Sequence, residues 1–145
     1  MAIWFKDIDL NRLNESSKNT SLEHLEIIVT EVNEDSLIGT IPVDNRTIQP
    51  FGILHGGMNC VLAETLGSLA SNLVLDQSQF HAVGLSISTS HIKAVRNGLV
   101  KGVATPVHLG RTTHVWNIDT FNEAGKLTSK TTLTMAVVKR SFTAN

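Results

Sequence analysis

The chain is nearly without cysteine, and the single one, Cys60, excludes an intramolecular disulfide. That usage fits a reducing compartment and predicts a cytoplasmic setting. It also lacks an excess of either charge: 12 basic and 13 acidic residues leave a formal net charge of -1. So balanced a chain offers no broad field to attract nucleic acid or an anionic membrane surface. Long apolar runs are missing too. The best candidate, residues 58–75, is interrupted by Asn59, Glu64, Ser68 and Asn72, so no bilayer span is expected. The first residues, MAIWFKDIDLNRLNESS, mix acids and amides with apolar side chains, unlike a signal peptide. The six histidines show no HxxxH and no paired Cys/His spacing, so no metal is expected. No G-x-S-x-G elbow announces a serine hydrolase. Internal repeats, linkers and low-complexity stretches are likewise absent. With 145 residues, the chain is expected to form one domain over 1–145.

What is present reads as one helix among strands. Leu10–Ser17 is predicted as a short helix with Asp9 as N-cap. Leu22–Thr30 and Ser36–Pro42 read as two strands joined by the turn Asn33-Glu34-Asp35. Pro42 and Pro50 argue against regular structure over residues 43–56. Helix is predicted from near Gly57 to about Leu75. Beyond residue 82 the period changes to two, with Val83, Leu85, Ile87 and Thr89 on one face and Ser86, Ser88 and Ser90 on the other. Turns at Asn97-Gly98, His108-Leu109-Gly110 and 122–125 separate further strands at Leu99–Val107, Arg111–Phe121 and Leu127–Val138. The expectation is an α+β domain: a strand pair, one long apolar helix, and a four-strand antiparallel meander curling around that helix. Such a sheet keeps edges to cover, so self-association is expected.

The chemically suggestive stretch is residues 49–68. Glu64 lies in the otherwise apolar helix MNCVLAETLGSLASNLVL. A lone carboxylate there must be paired, protonated or used in chemistry. Helical spacing puts Cys60, Glu64, Ser68 and Ser71/Asn72 on one polar stripe, which suggests a lined cavity. Gly67 beside it could admit a ligand or a neighbouring backbone. Ahead of the helix stands His55-Gly56-Gly57, where backbone N–H groups lack partners and the helix dipole is positive. A substrate carbonyl could approach those groups as in an oxyanion hole. Glu64, about two turns on, would then lie near that carbonyl as nucleophile or general base. Gln49 and His55 can add polar contacts.

The segment QPFGILHGGMNCVLAETLGS resembles the signature of the hotdog-fold acyl-CoA thioesterases. It is similar to the branch holding 1,4-dihydroxy-2-naphthoyl-CoA hydrolase and the phenylacetate-pathway and hydroxybenzoyl-CoA thioesterases. The likeness continues through IPVDNRTIQPFG, VGLSISTSHIKAVRNG and TPVHLGRTTHVWNIDTFNEAGKL. It implies a hotdog fold of about five or six strands wrapped around one central helix. It also implies hydrolysis of an aromatic or medium-sized acyl-CoA without metal or redox cofactor. Glu64 would attack the thioester or activate water, the Gly56 N–H would polarise its carbonyl, Gln49 and His55 would help place it, and Ser68 would line the acyl end. Coenzyme A would meet Gly84, the strand end His91-Ile92-Lys93-Ala94 and the turn His108-Leu109-Gly110-Arg111-Thr112-Thr113. Lys93, Arg96 and Arg111 supply positive charge for its phosphates. Sites in this family draw on two subunits, and dimers pair into tetramers.

Two rivals stand beside this reading. A hotdog-fold hydratase or dehydratase would act on the same thioesters, but its His-x-x-x-Gly-x-Pro and Asp-x-x-x-x-His signatures are missing. A non-catalytic acyl-CoA-binding domain would use the same pocket, although no DNA-binding module is appended and the charge is near neutral.

Overall fold

A computed structural model describes residues 1–141. Its order is α1 (Leu10–Glu15), α2 (Ser21–His24), β1 (Ile28–Val32), β2 (Leu37–Pro42), α3 (Gly56–Val74), β3 (Phe80–His91), β4 (Leu99–Leu109), β5 (Thr113–Phe121) and β6 (Leu127–Lys139). The six strands form one antiparallel sheet in the order β1-β2-β4-β5-β6-β3. It holds α3 against its concave face, as the α+β reading requires.

The helix seats closely because two glycines face each other beneath it. Gly39 of β2 pairs in register with Gly102 of β4. A Cβ on either would stand 2.8 Å from a methyl carbon of Leu66. Leu62 and Leu66 are fully buried there, among Leu37, Ile41, Val100, Trp116, Ile118 and Leu133. Each such leucine contributes roughly 2–3 kcal/mol by burial. Gly67 serves the same packing rather than a ligand, since a Cβ on it would meet Leu133 Cδ2 at 2.5 Å.

Three sequence expectations need correction. Leu22–Thr30 is not a continuous strand: Thr20 caps a helical turn through Leu22 N–H, and the chain reverses at Glu26 (φ 52°) before β1 begins. Thr20-x-x-Glu23 is the capping pattern that carries this signal. The meander has three strands, β4-β5-β6, not four, because β3 pairs with β6 at the sheet edge. Asn97-Gly98 is a turn, with Gly98 at φ 78°, but it does not join neighbouring strands. Third, a bulge at Leu85 breaks the alternation of β3. Gly84, Ile87 and Thr89 pair with the inward residues Met135, Leu133 and Thr131, whereas Val83 faces outward with Ala136.

The two sheet edges differ. On β1, the Asn14 side chain acts as a substitute strand, donating to Val29 O at 2.8 Å and accepting from Val29 N at 2.9 Å. The edge of β3 has such a clip only near its start, where the Asn72 side chain holds Ala82 N and O, and from Val83 onward no side chain covers it. It is 12 residues long, and Val83 (43 %) and Leu85 (63 %) are exposed on it. A long, partly apolar open edge is a template for pairing.

Candidate active site

The loop before α3 is fixed at several points, which places the site residues at its end. Arg46 binds Asp44 through both of its side-chain oxygens, donates to His24 O at 2.8 Å and pairs with Glu26. This guanidinium holds the Asp44 carboxyl below its usual range. Thr47 Oγ1 donates to Pro42 O (2.7 Å), His55 N to Thr47 O (2.8 Å) and Leu54 N to Val95 O (2.8 Å). The loop therefore leans on the segment that follows β3. Gln49 spends its carbonyl oxygen on Phe51 N–H, and its NH2 group has no partner among the described residues.

His55 is the N-cap of α3, its Nδ1 accepting from Gly57 N at 2.9 Å. Side-chain capping of this kind normally falls to Ser, Thr, Asp or Asn. Met58 N bonds His55 O, so the first-turn donor left over is the Gly56 N–H. The His91 ring lies directly against Gly56: a Cβ there would be 2.9 Å from Nε2. Asn59, one turn into α3, has its Nδ2 3.2 Å from His91 Nδ1. Gln49, Leu54, Gly56, Asn59, His91 and Lys93 line a cleft of about 330 Å³ whose walls include Ile53, Ile92, Ala94 and Val95. Sequence reasoning missed Asn59, which lies one position off the polar stripe. The available signal was an amide side chain in the first turn of an apolar helix.

The stripe itself is real and runs along β3. Cys60 Sγ is 3.4 Å from Thr89 Oγ1, the Glu64 carboxylate lies over Gly84, and Asn72 bonds both Ala82 N (2.9 Å) and Ala82 O (3.2 Å). A Cβ on Gly84 would be 2.8 Å from Glu64 Oε1. Two expectations are corrected here. Glu64 is exposed in the single chain rather than enclosed by apolar walls, and no basic side chain pairs with it among the described residues. Nor does it stand beside Gly56: eight residues at about 1.5 Å rise separate them by about 12 Å. The half-buried Ser68 lies one turn further on, on the same stripe.

The two segments assigned to coenzyme A are also apart. His91-Ile92-Lys93-Ala94 lies at one end of β3. The turn Gly110-Arg111-Thr112 opens β5, whose Thr113 aligns through Ala136 with Val83 at the other end. Eight strand residues, about 26 Å, lie between. His108 and Leu109 belong to β4 rather than to the turn. Lys93 and Arg96 thus share one end of the sheet, and Arg111 occupies the other. Near that turn His114 is buried, with Nδ1 3.2 Å from Ser71 Oγ, which accepts from Trp116 Nε1 at 2.6 Å. Burial first, then the His108 charge, lowers its pKa from 6.5, against a hydrogen bond with the Gly110 backbone. No group of three His, Cys, Asp or Glu residues able to hold a metal occurs among the described residues. No helix among them is long and apolar enough to cross a membrane.

Comparison with known proteins identifies the family. The model of the thioesterase superfamily matches residues 51–129, which include Gly56, Glu64, Gly84 and His91. The chain belongs to the thioesterase superfamily. A Vibrio cholerae protein named for esterase activity is 51% identical over 141 residues, covering 97% of this chain and 93% of that one. The 1,4-dihydroxy-2-naphthoyl-CoA hydrolase of Escherichia coli is 42% identical over 136 residues, covering 94% and 99%. The crystal structure of a mutant thioesterase from Pseudomonas aeruginosa superposes with a TM-score of 0.95 at 46% identity, covering 96% of this chain and 100% of that one. The sheet wrapped around α3 is the hotdog fold, and the chain is an enzyme of the thioester-hydrolase class.

Proposed function

We propose that this thioesterase hydrolyses an aromatic or medium-sized acyl-CoA to the free acid and coenzyme A, in an active site assembled from two copies of the chain. The observation that carries the reading is the separation of two half-sites on one helix. Gly56, Gln49 and His55 gather donors at the N-terminus of α3, while the unpaired Glu64 carboxylate stands two turns away over the open edge strand. Antiparallel pairing of β3 with β3 of a second copy, centred on Ser88, brings the halves together. Inward residues then face inward residues across the junction. With Leu85 absorbed by its bulge, Gly84 of one copy falls opposite His91 of the other. Glu64 thereby approaches the second copy's Gly56. The same pairing brings the His91–Ala94 end of one copy toward the Gly110–Thr112 turn of the other, uniting the two segments assigned to coenzyme A.

In the assembled site the thioester oxygen lies at the Gly56 N–H, with Gln49 NH2 as a further donor. The helix dipole favours the negative charge that develops there. Glu64 of the other copy either takes a proton from water that attacks the carbonyl carbon, or attacks that carbon itself to form a mixed anhydride that water then hydrolyses to the free acid; in both routes coenzyme A leaves as thiolate. Ser68, a turn beyond Glu64, borders the acyl group. Lys93 and Arg111, from different copies, meet the phosphates. None of these steps calls for a metal or redox cofactor. The dihydroxynaphthoyl-CoA hydrolase relative supports an aromatic acyl group. Single-domain architecture over 1–145, a cytoplasmic setting and pairing of dimers into tetramers complete the reading, and the lone Cys60 is consistent with that setting.

The test uses two inactivated variants and a panel of aroyl-, phenylacetyl- and fatty acyl-CoAs assayed for free thiol. Glu64→Gln removes the carboxylate. Gly56→Pro removes the N–H at the first helical position, where the backbone accepts proline because His55, at φ -59° and ψ 130°, already has the conformation required before it; its Cβ also pushes the His91 ring aside, so the variant disables this half-site as a whole and leaves Glu64 in place. Each alone should lose at least about 10²-fold in kcat. Refolded together, half the dimers are mixed and each carries one intact site, restoring about a quarter of the wild-type rate. No recovery, with both variants dimeric, would refute the shared site. Near-normal turnover by Glu64→Gln would refute the mechanism.

A further inference from the structure

Asn59 is 5 % exposed, and its Oδ1 is among the few buried side-chain atoms without a hydrogen-bond partner. An unpaired buried acceptor is destabilising, so it calls for an explanation. Its other end supplies one. Asn59 Nδ2 faces His91 Nδ1, and the opposite edge of that ring, Nε2, rests on Gly56. The reversed amide would leave an NH2 group with two hydrogens buried and unpaired, which is worse than one carbonyl oxygen. Asn59 is therefore the donor and His91 Nδ1 the acceptor. In neutral imidazole that bond puts the proton on Nε2.

We propose that Asn59 is a positioning residue that locks His91 as the Nε2–H tautomer, making His91 a third donor to the thioester oxygen beside the Gly56 N–H and the Gln49 NH2. This rests on the thioesterase reading above and adds to it a pair of residues on the polarising half of the site. The orphaned Oδ1 is the stability given up to hold the ring. Neutral His91 suffices, so the donor persists at pH values where an unguided imidazole would divide its proton between two nitrogens. Within one chain the cleft around the ring contains Lys93 as its one other ionisable side chain, and the two-copy pairing adds the Glu64 carboxylate of the second copy; Asn59, Gly56 and Gln49 are uncharged, and the cross-strand neighbour on β6 is Ser129.

Four variants assayed on benzoyl-CoA test this. His91→Ala should lower kcat by on the order of 10²-fold, as loss of one oxyanion donor does, with KM changed much less. His91→Gln, whose Nε2 carries hydrogens near the same point, should recover most of that loss. Asn59→Asp reverses the hydrogen bond: the carboxylate accepts from Nδ1–H, so Nε2 donates only when the ring is protonated. Its kcat, taken as a ratio to wild type at each pH, should be highest in acid and fall as the ring loses its second proton, a decline absent from the wild type. Asn59→Leu, which removes the orphaned oxygen, should keep or raise Tm while lowering kcat. The proposal is overturned if Asn59→Asp shows the wild-type pH profile, if His91→Gln is as poor as His91→Ala, or if the His91 variants change KM alone. A wild-type protein that releases no thiol from any acyl-CoA would instead sink the thioesterase reading itself.

Discussion

Gly84→Ala is expected to make the protein more stable and less active. Gly84 lies in β3 at an ordinary negative φ, since only Gly52, Gly98 and Gly125 have positive values. Alanine fits that backbone and removes the entropic disadvantage of glycine in a strand, worth about 0.5–1 kcal/mol. For a chain of this length the gain corresponds to a rise in Tm of about 2–4 °C. The new methyl carbon meets nothing within 4 Å except Glu64, with Oε1 at 2.8 Å and Cδ at 3.9 Å. A carbon–oxygen contact relaxes to about 3.3 Å, so the carboxylate must move by about 0.5 Å. Since a misplacement of 1 Å can reduce a rate about 10²-fold, half that shift should lower kcat by about tenfold. Initial rates of thiol release from benzoyl-CoA and a thermal melt measure the two effects on one sample. An unchanged kcat would show that Gly84 does not set the position of Glu64. A raised KM at constant kcat would assign Gly84 to the coenzyme instead, and a lowered Tm would refute the backbone argument.

Leu85→Lys places a charge on the exposed bulge of the β3 edge and should shift the protein toward monomer in light scattering while abolishing turnover; an active monomer would contradict the two-copy site. His114 should make the fold acid-sensitive. Its folded pKa lies below the unfolded value of 6.5, so its contribution is complete above 6.5 and is lost as pH falls toward the folded pKa. Urea midpoints between pH 7.5 and 5 should decline, and the slope should flatten in His114→Gln; an equal slope would acquit this histidine. Gly67→Ala should destabilise the protein by about 1–3 kcal/mol despite the better helix propensity of alanine, because its methyl collides with Leu133; a stabilised variant would show that Leu133 can repack.

The sequence revealed elements more readily than it revealed who neighbours whom. The apolar run from Met58 and the capped start at Asp9 are local signals, and α3 and α1 lie within a residue or two of where they were expected. The pairing of β3 with β6 is non-local. Asn97-Gly98 looks the same whether it closes a hairpin or a crossover, so the turn was legible and the topology was not. Leu85 defeated the period-two reading of β3 because one bulged residue inverts everything beyond it. At the site, Glu64 and His55-Gly56-Gly57 stood out by composition. Their separation along α3 and the orientation of β3 decide whether they meet within one chain, and neither is visible in residue order. Asn59 was hidden because its importance lies in one unsatisfied atom.

The clip that Asn14 places on Val29 limits how large an assembly the sheet can build. Joining two copies through β3 leaves a twelve-strand surface whose two outermost ladders both belong to β1, and both are already occupied by an amide side chain. In the proposed pairing lateral growth would therefore stop at two, with fibre-like polymerisation blocked by a single asparagine far from the chemistry.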